Sequence, residues 1–110
     1  MVISRGDVVI ASGPGDYSGK PRSFIVVQSD AFIEFHASLS LCPVTSRTGE
    51  PLAFRIPLAP TDESGLLVPS EVQVDKVQTL RRGRIEGVAG SISAYELALI
   101  DDALRTWFDL

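Results

Sequence analysis

The spacing of apolar and polar positions predicts a chain of short β-strands that ends in one helix. Apolar residues alternate with polar ones, or form short runs, in segments separated by turn residues at intervals of roughly eight to twelve positions. Five or six strands with one amphipathic helix indicate a mainly β fold, a small barrel or curled sheet capped by the helix. The predicted strands cover residues 7–11, 23–28, 38–42, 54–58 and 66–74.

The second predicted strand is unusually apolar, because Phe24, Ile25, Val26 and Val27 follow one another. Side chains alternate between the two faces of a strand, so both faces of this strand are expected to be buried. A small barrel has only one interior, and the other face therefore needs a cover. The C-terminal helix could supply that cover, and so could a second copy of the chain.

A helical turn is predicted between the second and third strands. Residues 30–36 begin with Asp30, which can cap the turn, and Phe32, Ile33 and Phe35 are expected to pack inward. The other connections have the composition of turns and loops. These are a glycine-rich loop at 12–19 whose order is expected to depend on a ligand, turns at 47–51 and 87–90, and a polar loop at 59–65.

The C-terminal helix has a complete set of sequence signals. Ser93 and Glu96 form a capping box, in which each side chain satisfies a backbone N–H at the start of the helix. Ile92 and Leu97 form the accompanying hydrophobic staple. The apolar stripe predicted to face the sheet consists of Leu97, Ile100, Leu104 and Trp107.

Length and composition indicate one domain, residues 1–110, with a single modest core and a hydrophobic fraction of 45%. No apolar run approaches the roughly eighteen residues that would span a bilayer. Cys42 is the sole cysteine, which excludes an internal disulfide and fits a protein of the reducing cytoplasm. Its apolar neighbours predict a buried core residue and not a nucleophile.

The net charge of −4 is concentrated at the C-terminus, where the last twenty residues carry four acids and one base. The remainder of the chain is nearly neutral. This distribution leaves room for a local basic groove. It does not fit the broad positive face of a strong non-specific nucleic-acid binder.

Cations and hydroxyls stand at the ends of two predicted strands. Lys20 and Arg22 precede the second strand, and Thr45 and Ser46 follow the third. A guanidinium held at the mouth of a buried strand suits a phosphate or carboxylate, because it offers donors in a fixed plane and keeps its charge. We expect these two strand ends to meet.

Metal and phosphate-loop chemistries fit the sequence poorly. His36 is the single histidine, and no group of Cys, Asp and Glu has the spacing of metal ligands. The glycines at positions 13 and 15 are not followed by the signature of a phosphate-binding loop. Cleavage of RNA by its own 2′-hydroxyl needs neither a metal nor a cofactor, because the substrate supplies the nucleophile.

In such a reaction Arg22 would neutralise the phosphate, and Thr45 and Ser46 would donate to a non-bridging oxygen. Asp75 is expected on the exposed face of the fifth strand, two residues after Gln73, where it could act as the base. Each group has a structural alternative. The arginine could form a surface ion pair, the hydroxyls could belong to a turn, and the aspartate could cap the residues that follow it.

Four short segments occur in a characteristic order: Arg5-Gly6-Asp7-Val8-Val9, Gly19-Lys20-Pro21-Arg22, Cys42-Pro43-Val44-Thr45-Ser46 and the run from Ser70 to Thr79. Together they resemble the MazF/PemK family of toxins, the ribonuclease halves of bacterial toxin–antitoxin pairs. The resemblance extends from Arg5 to the final helix. It implies an SH3-like barrel with a C-terminal helix, a homodimer, and cofactor-free, sequence-specific cleavage of single-stranded RNA that leaves a cyclic phosphate.

The resemblance also implies roles for individual residues. Three positions depart from the family pattern: Ser23 replaces a proline, Asp7 replaces a glutamate, and Gln73 replaces the arginine of some members. Gln73 cannot act as an acid in place of that arginine. The implied catalytic residues are Arg22, Thr45 and Asp75, and the implied RNA contacts are Lys20, Ser46, Arg47 and Gln73.

Toxins of this family associate with an antitoxin, so the resemblance implies a protein partner with an acidic and apolar tail. That tail would compete with RNA for the same cations. The expected path comprises Lys20, Arg22, Arg47 and the cluster Arg81, Arg82 and Arg84. For the cluster, a solvated surface that neutralises nearby acids is the alternative.

Two other functions remain open at the level of sequence. The gyrase-poisoning branch of the same fold, represented by CcdB, acts by binding through the end of its C-terminal helix, and this chain has Trp107 near its end. However, Trp107 falls on the predicted apolar stripe, which favours packing against the sheet. The third possibility is a catalytically inactive binding module.

Overall fold

Seven β-strands and one α-helix build the fold in the computed structural model, which describes residues 1–12 and 20–110. The predicted loop at 12–19 lies, from residue 13 onward, outside the described residues. Three single-turn 3₁₀ helices connect strands, at Asp30–Phe32, Val74–Lys76 and Arg82–Arg84. The strands are β1 Asp7–Ala11, β2 Arg22–Val26, β3 Ser38–Thr45, β4 Arg55–Leu58, β5 Ser70–Gln73, β6 Gln78–Arg81 and β7 Ile85–Ser91, and the helix α1 is Ala94–Phe108.

The strands form one antiparallel sheet in the order β4-β5-β3-β2-β1-β7, with β6 paired to β3 as a branch. The branch arises because β3 is long enough to hold two partners on one edge: β6 pairs with its first half and β5 with its end. Its other edge pairs with β2. The mainly β fold with a C-terminal helix is therefore confirmed. Among the described strands no pair joins the two ends of the sheet, so the curled sheet is not a fully closed barrel.

Strand β2 separates two apolar clusters. Phe24 and Val26 point into one cluster, which also contains residues of β1, β3 and β6. Ile25 points into the other, where Ile100 of α1 packs on the opposite face of the sheet. Both faces of β2 are thus buried within one chain, as its apolar run predicts. The helix supplies the second cover, so this strand does not itself require a partner subunit.

The helix α1 begins as its sequence predicts. The Ser93 hydroxyl accepts a hydrogen bond from the Glu96 N–H at 3.1 Å, and the Glu96 carboxylate accepts one from the Ser93 N–H at 2.9 Å. Ile100 is fully buried at the centre of the stripe. Trp107, at the end of the stripe, is 46% exposed, yet its ring contacts Phe54 edge to face with centroids 5.3 Å apart. No helix in the described ranges has the length and apolar character needed to cross a membrane.

Of the three residues predicted to pack inward from the turn at 30–36, only one is buried. Ile33 is buried, whereas Phe32 is 65% and Phe35 93% exposed. A single 3₁₀ turn with three residues per turn presents one position in three to the core, so the two phenylalanines point outward. The cap is Ser29 and not Asp30, since the Ser29 hydroxyl accepts from the Ala31 N–H at 3.3 Å.

The turn predicted at 87–90 is wrong, because these residues belong to β7. Glycine serves there to allow a close approach of two backbones. A Cβ atom on Gly90 would lie 2.1 Å from the Glu63 carbonyl oxygen of the neighbouring turn. Gly90 thus reflects close backbone packing within a strand and not a turn.

Candidate functional site

A groove with a volume of about 630 Å³ opens over the first residue of β2 and the last residue of β3. The pairing of these strands explains why. The pairing of β2 with β3 ends at Phe24 opposite Pro43, and Arg22 and Thr45 each lie two residues beyond this pair. Side chains two residues apart on a strand project from the same face, which directs Arg22 and Thr45 to the same side of the two strands. The predicted meeting of these strand ends is confirmed, and both side chains line the groove.

The hydroxyl of Thr45 is oriented by the backbone that follows it. Its Oγ1 accepts a hydrogen bond from the Arg47 N–H at 3.1 Å. Since a hydroxyl that accepts in this way keeps its own proton, Thr45 can donate that proton to an anion in the groove. Ser46 and Arg47 are exposed and also line the groove, which brings two further donors to the same place.

The end of β5 and the turn that follows it form another wall of the groove, and the residues that line this wall differ from those predicted from the sequence. Strand β5 ends at Gln73, and the chain then enters the 3₁₀ turn Val74–Lys76. In a strand, residues two apart share a face, but in a 3₁₀ helix residues three apart do so. Gln73 and Lys76 therefore both line the groove, and Asp75 does not.

Asp75 instead turns toward the interior. It is half-buried, and its Oδ1 is buried without a hydrogen-bond partner among the described residues. The prediction that Asp75 lies on an exposed strand face is wrong, because the strand ends two residues earlier. Lys76 is a groove residue that sequence reasoning missed, and its signal was the three-residue spacing from Gln73.

Lys20 is exposed but is not part of the groove lining. The remaining groove residues outside β3 come from β1, β2, the start of β5 and the segment before it. Ser23 and Ser70 add hydroxyl groups. The full set of these residues is Ile10, Ser23, Gly65, Leu66, Leu67, Val68 and Ser70.

The predicted arginine cluster has mainly structural contacts. Arg82 donates through its guanidinium to the carbonyl oxygens of Ile33 and His36, which holds the turn that carries the exposed phenylalanines. Arg84 donates to the Ser12 carbonyl oxygen at 3.3 Å. None of the arginines at 81, 82 and 84 lines the groove.

Neither the thiol nor a metal cluster offers an alternative centre in the described part of the chain. Cys42 is fully buried, and burial, with a smaller effect of the nearby Asp75 charge, raises the pKa of its thiol from 9.0 to about 12. The expected structural role of Cys42 is confirmed. Within residues 1–12 and 20–110, no three His, Cys, Asp or Glu side chains are grouped so that they could hold a metal ion.

The fold and groove together define a small curled β-sheet protein in which cations and hydroxyls line one groove. A family model of the PemK-like, MazF-like toxins of type II toxin–antitoxin systems matches residues 4–108. The chain is also 33% identical over 106 residues, 96% of each protein, to a probable endoribonuclease MazF of Mycolicibacterium smegmatis. The chain therefore belongs to the PemK/MazF toxin family.

Solved structures agree on the fold. A MazE–MazF complex from Deinococcus radiodurans superposes with a TM-score of 0.83 at 22% identity, covering 100% of this chain and 99% of that one. A mycobacterial endoribonuclease in complex with its cognate antitoxin superposes with a TM-score of 0.79 at 19% identity, covering 99% and 97%. At these identities the likeness establishes the architecture alone.

Proposed function

We propose that this toxin is a metal-independent endoribonuclease that cleaves single-stranded RNA by attack of the substrate's own 2′-hydroxyl. The observation that carries the proposal is that Arg22, at the start of β2, and Thr45, at the end of β3, line one groove. The relatives' names support the same activity, since the M. smegmatis protein is called a probable endoribonuclease.

The reaction needs a phosphate held in place and two proton transfers. The 2′-oxygen forms a bond to phosphorus, the bond from phosphorus to the 5′-oxygen breaks, and a 2′,3′-cyclic phosphate results. Arg22 neutralises the charge that develops on the phosphoryl oxygens, and the Thr45 hydroxyl donates to one of them. Lys76 adds a second cation on the opposite wall. These permanent charges supply electrostatic stabilisation that many nucleases obtain from a metal ion.

The family resemblance assigns the general base to Asp75. Its position behind the groove wall gives that assignment less geometric support than Arg22 and Thr45 have. RNA contacts are proposed for Ser46, Arg47 and Gln73, which line the groove, and for Lys20, two residues before Arg22. The site specificity of the cut is set by the bases that flank the phosphate.

Cleavage of a mixed-sequence transcript in excess EDTA tests the proposal. Wild-type protein should cut RNA at defined sites, and Arg22→Ala should slow cutting about a hundredfold or more. Arg22 is exposed, so this change should leave the free energy of unfolding within about 0.5 kcal/mol. A strict requirement for Mg²⁺ would contradict metal independence, and near wild-type cutting by Arg22→Ala would contradict the site.

The packing of α1 removes the main support for the gyrase-poisoning alternative. Trp107 contacts Phe54 across the helix–sheet interface, which engages the ring that this alternative needs for a target. Altered DNA supercoiling in the presence of gyrase, with no cleavage of RNA, would favour it over the ribonuclease.

We further propose a cognate antitoxin as partner, in the cytoplasm where RNA is translated. The similar MazF of D. radiodurans occurs in complex with MazE. An acidic tail would form charge-assisted hydrogen bonds with Arg22, Arg47 and Lys76 and so shield the phosphate site. Hydrogen exchange with and without the antitoxin should show protection at residues 20–22 and 44–47. Protection confined to α1 would contradict inhibition by occlusion.

A homodimer is the proposed assembly. Phe32 and Phe35 are exposed on the turn that Arg82 braces, and such apolar side chains are candidates for burial between two copies. Sedimentation should show a dimer at micromolar concentration, and Phe35→Ser should weaken it. A stable monomer at that concentration would contradict the assembly.

A further inference from the structure

A smaller cavity of about 170 Å³ adjoins the groove beside Thr45. It is well below the roughly 300 Å³ of the smallest drug-sized pockets, so it suits a fragment as small as one planar base. Its residues Thr45, Arg47, Gln73 and Lys76 also line the groove, so the two spaces are direct neighbours. The walls that belong to the smaller cavity alone carry Glu50, Leu52, Arg55 and Glu71.

Glu71 places a carboxylate next to the proposed phosphate site. It lies opposite Thr45 in the pairing of β3 with β5, so both side chains project from the same face. Its Oε2 accepts a hydrogen bond from the Gly49 N–H at 3.3 Å, which steadies the side chain against the β3–β4 loop. A nucleotide whose phosphate contacts Thr45 therefore has an acceptor within reach of its base.

Arg55 provides donors on the other wall. It lies opposite Gln73 in the pairing of β4 with β5, and with the Gln73 amide carbonyl facing it, Nη1 donates to Oε1 at 2.6 Å. Its Nε is buried without a partner among the described residues. In that part of the chain Arg55 forms no salt bridge with Glu71 or Glu50, the ordinary structural reason for such a grouping. The Arg55 guanidinium and the Glu71 carboxylate, both in the lining of this cavity, are therefore not neutralised by each other.

We propose, on the basis of the proposed RNA cleavage, that this cavity binds the base of one nucleotide flanking the scissile phosphate and selects bases with an exocyclic amino group over uracil. Glu71 accepts from the amino group, and Arg55 donates to the neighbouring ring nitrogen or carbonyl. Uracil offers only its N3–H between two carbonyl oxygens, and these repel the carboxylate. Recognition of unstacked base edges by side chains is the usual mode of sequence-specific RNA binding.

The test maps cut sites in a pool of randomised RNA with wild-type protein, Glu71→Gln and the matched control Glu34→Gln. Glu34 is exposed and lies outside both spaces. Wild type should disfavour uracil about tenfold or more at one position beside the cut, and Glu71→Gln should remove most of that preference there. Glu34→Gln should keep it. Binding of an oligonucleotide with a 2′-deoxy residue at the cut, carrying cytosine or uracil at that position, should show the same pattern.

The outcomes separate this inference from the proposed function. If wild type cuts RNA and Glu71→Gln keeps every positional preference, the base-binding role is overturned while the ribonuclease stands. If wild type neither cuts nor binds RNA, the proposed function fails and the inference fails with it. Should Glu71→Gln not fold, Glu71→Ala provides the same readout, because it also removes the carboxylate that accepts from the amino group.

Discussion

Thr45 and Arg47 share a hydrogen bond in which the Thr45 hydroxyl accepts from the Arg47 N–H at 3.1 Å. This bond fixes the hydroxyl as an acceptor toward its own chain and leaves its proton for a ligand in the groove. The backbone at the end of β3 thus sets the direction of the Thr45 hydroxyl in the groove that it shares with Arg22.

Replacing Thr45 by valine keeps the shape of the side chain and removes the donor. We expect Thr45→Val to slow RNA cleavage about a hundredfold or more, because one preorganised donor to a charged transition state is lost. Thr45→Ser retains the hydroxyl and should stay within about tenfold of wild type. Single-turnover rates on one RNA substrate measure both. Equal cleavage rates for Thr45→Val and wild type would show that Thr45 does not act on the phosphate.

The meeting of Arg22 and Thr45 could be predicted from sequence because it depends on two adjacent antiparallel strands with clear apolar patterns. The position of Asp75 could not. Val72 and Val74 are both fully buried, so the two-residue alternation continues one residue past Gln73, where the strand ends. The change to a three-residue repeat rests on the Val77 N–H, which bonds to the Val74 carbonyl oxygen at 3.2 Å, and no local signal announces it.

Two glycines of β7, one packed against a neighbouring backbone and one with no such neighbour among the described residues, give a test of stability. Gly90→Ala should lower the free energy of unfolding by about 1–3 kcal/mol, because the added Cβ meets the Glu63 carbonyl oxygen. Gly87→Ala, on the same strand, meets nothing described within 4 Å and should change it by less than about 0.5 kcal/mol. Denaturant unfolding compares the two. Equal effects would indicate that the turn before β5 does not pack against β7 in solution.

The buried thiol predicts how stability depends on alkaline pH. The pKa of Cys42 rises from 9.0 to about 12 in the folded chain. Between these values the unfolded state releases the proton while the folded state keeps it, so the free energy of unfolding falls as pH rises. The contribution is fully present below pH 9.0 and is lost through about pH 12, at no more than about 1.4 kcal/mol for each pH unit.

Cys42→Ala removes this contribution and should flatten the dependence relative to wild type, although other groups titrate in the same range. The native thiol should also react with iodoacetamide far more slowly than the thiol of the unfolded chain. Rapid alkylation of the folded protein near pH 8 would contradict the burial of Cys42.

The opposite placements of Lys76 and Asp75 lead to a direct test of the groove. Lys76→Gln should weaken binding of a single-stranded oligonucleotide with a 2′-deoxy residue at the cut. It should also reduce the slope of log affinity against log salt by about 0.7, since one phosphate contact is lost. Arg81→Gln removes an exposed cation outside the groove and should leave that slope unchanged. Asp75→Asn should not weaken binding, because its carboxylate faces the interior.

Asp75→Asn also tests the catalytic role that the family resemblance assigns to Asp75. If cleavage by Asp75→Asn falls at least a hundredfold while affinity is kept, Asp75 is the base and the turn that carries it must open toward bound RNA. If the cleavage rate is kept as well, Asp75 acts in packing beneath the groove. Loss of affinity in Asp75→Asn with none in Lys76→Gln would mean that the 3₁₀ turn presents the other side chain to RNA.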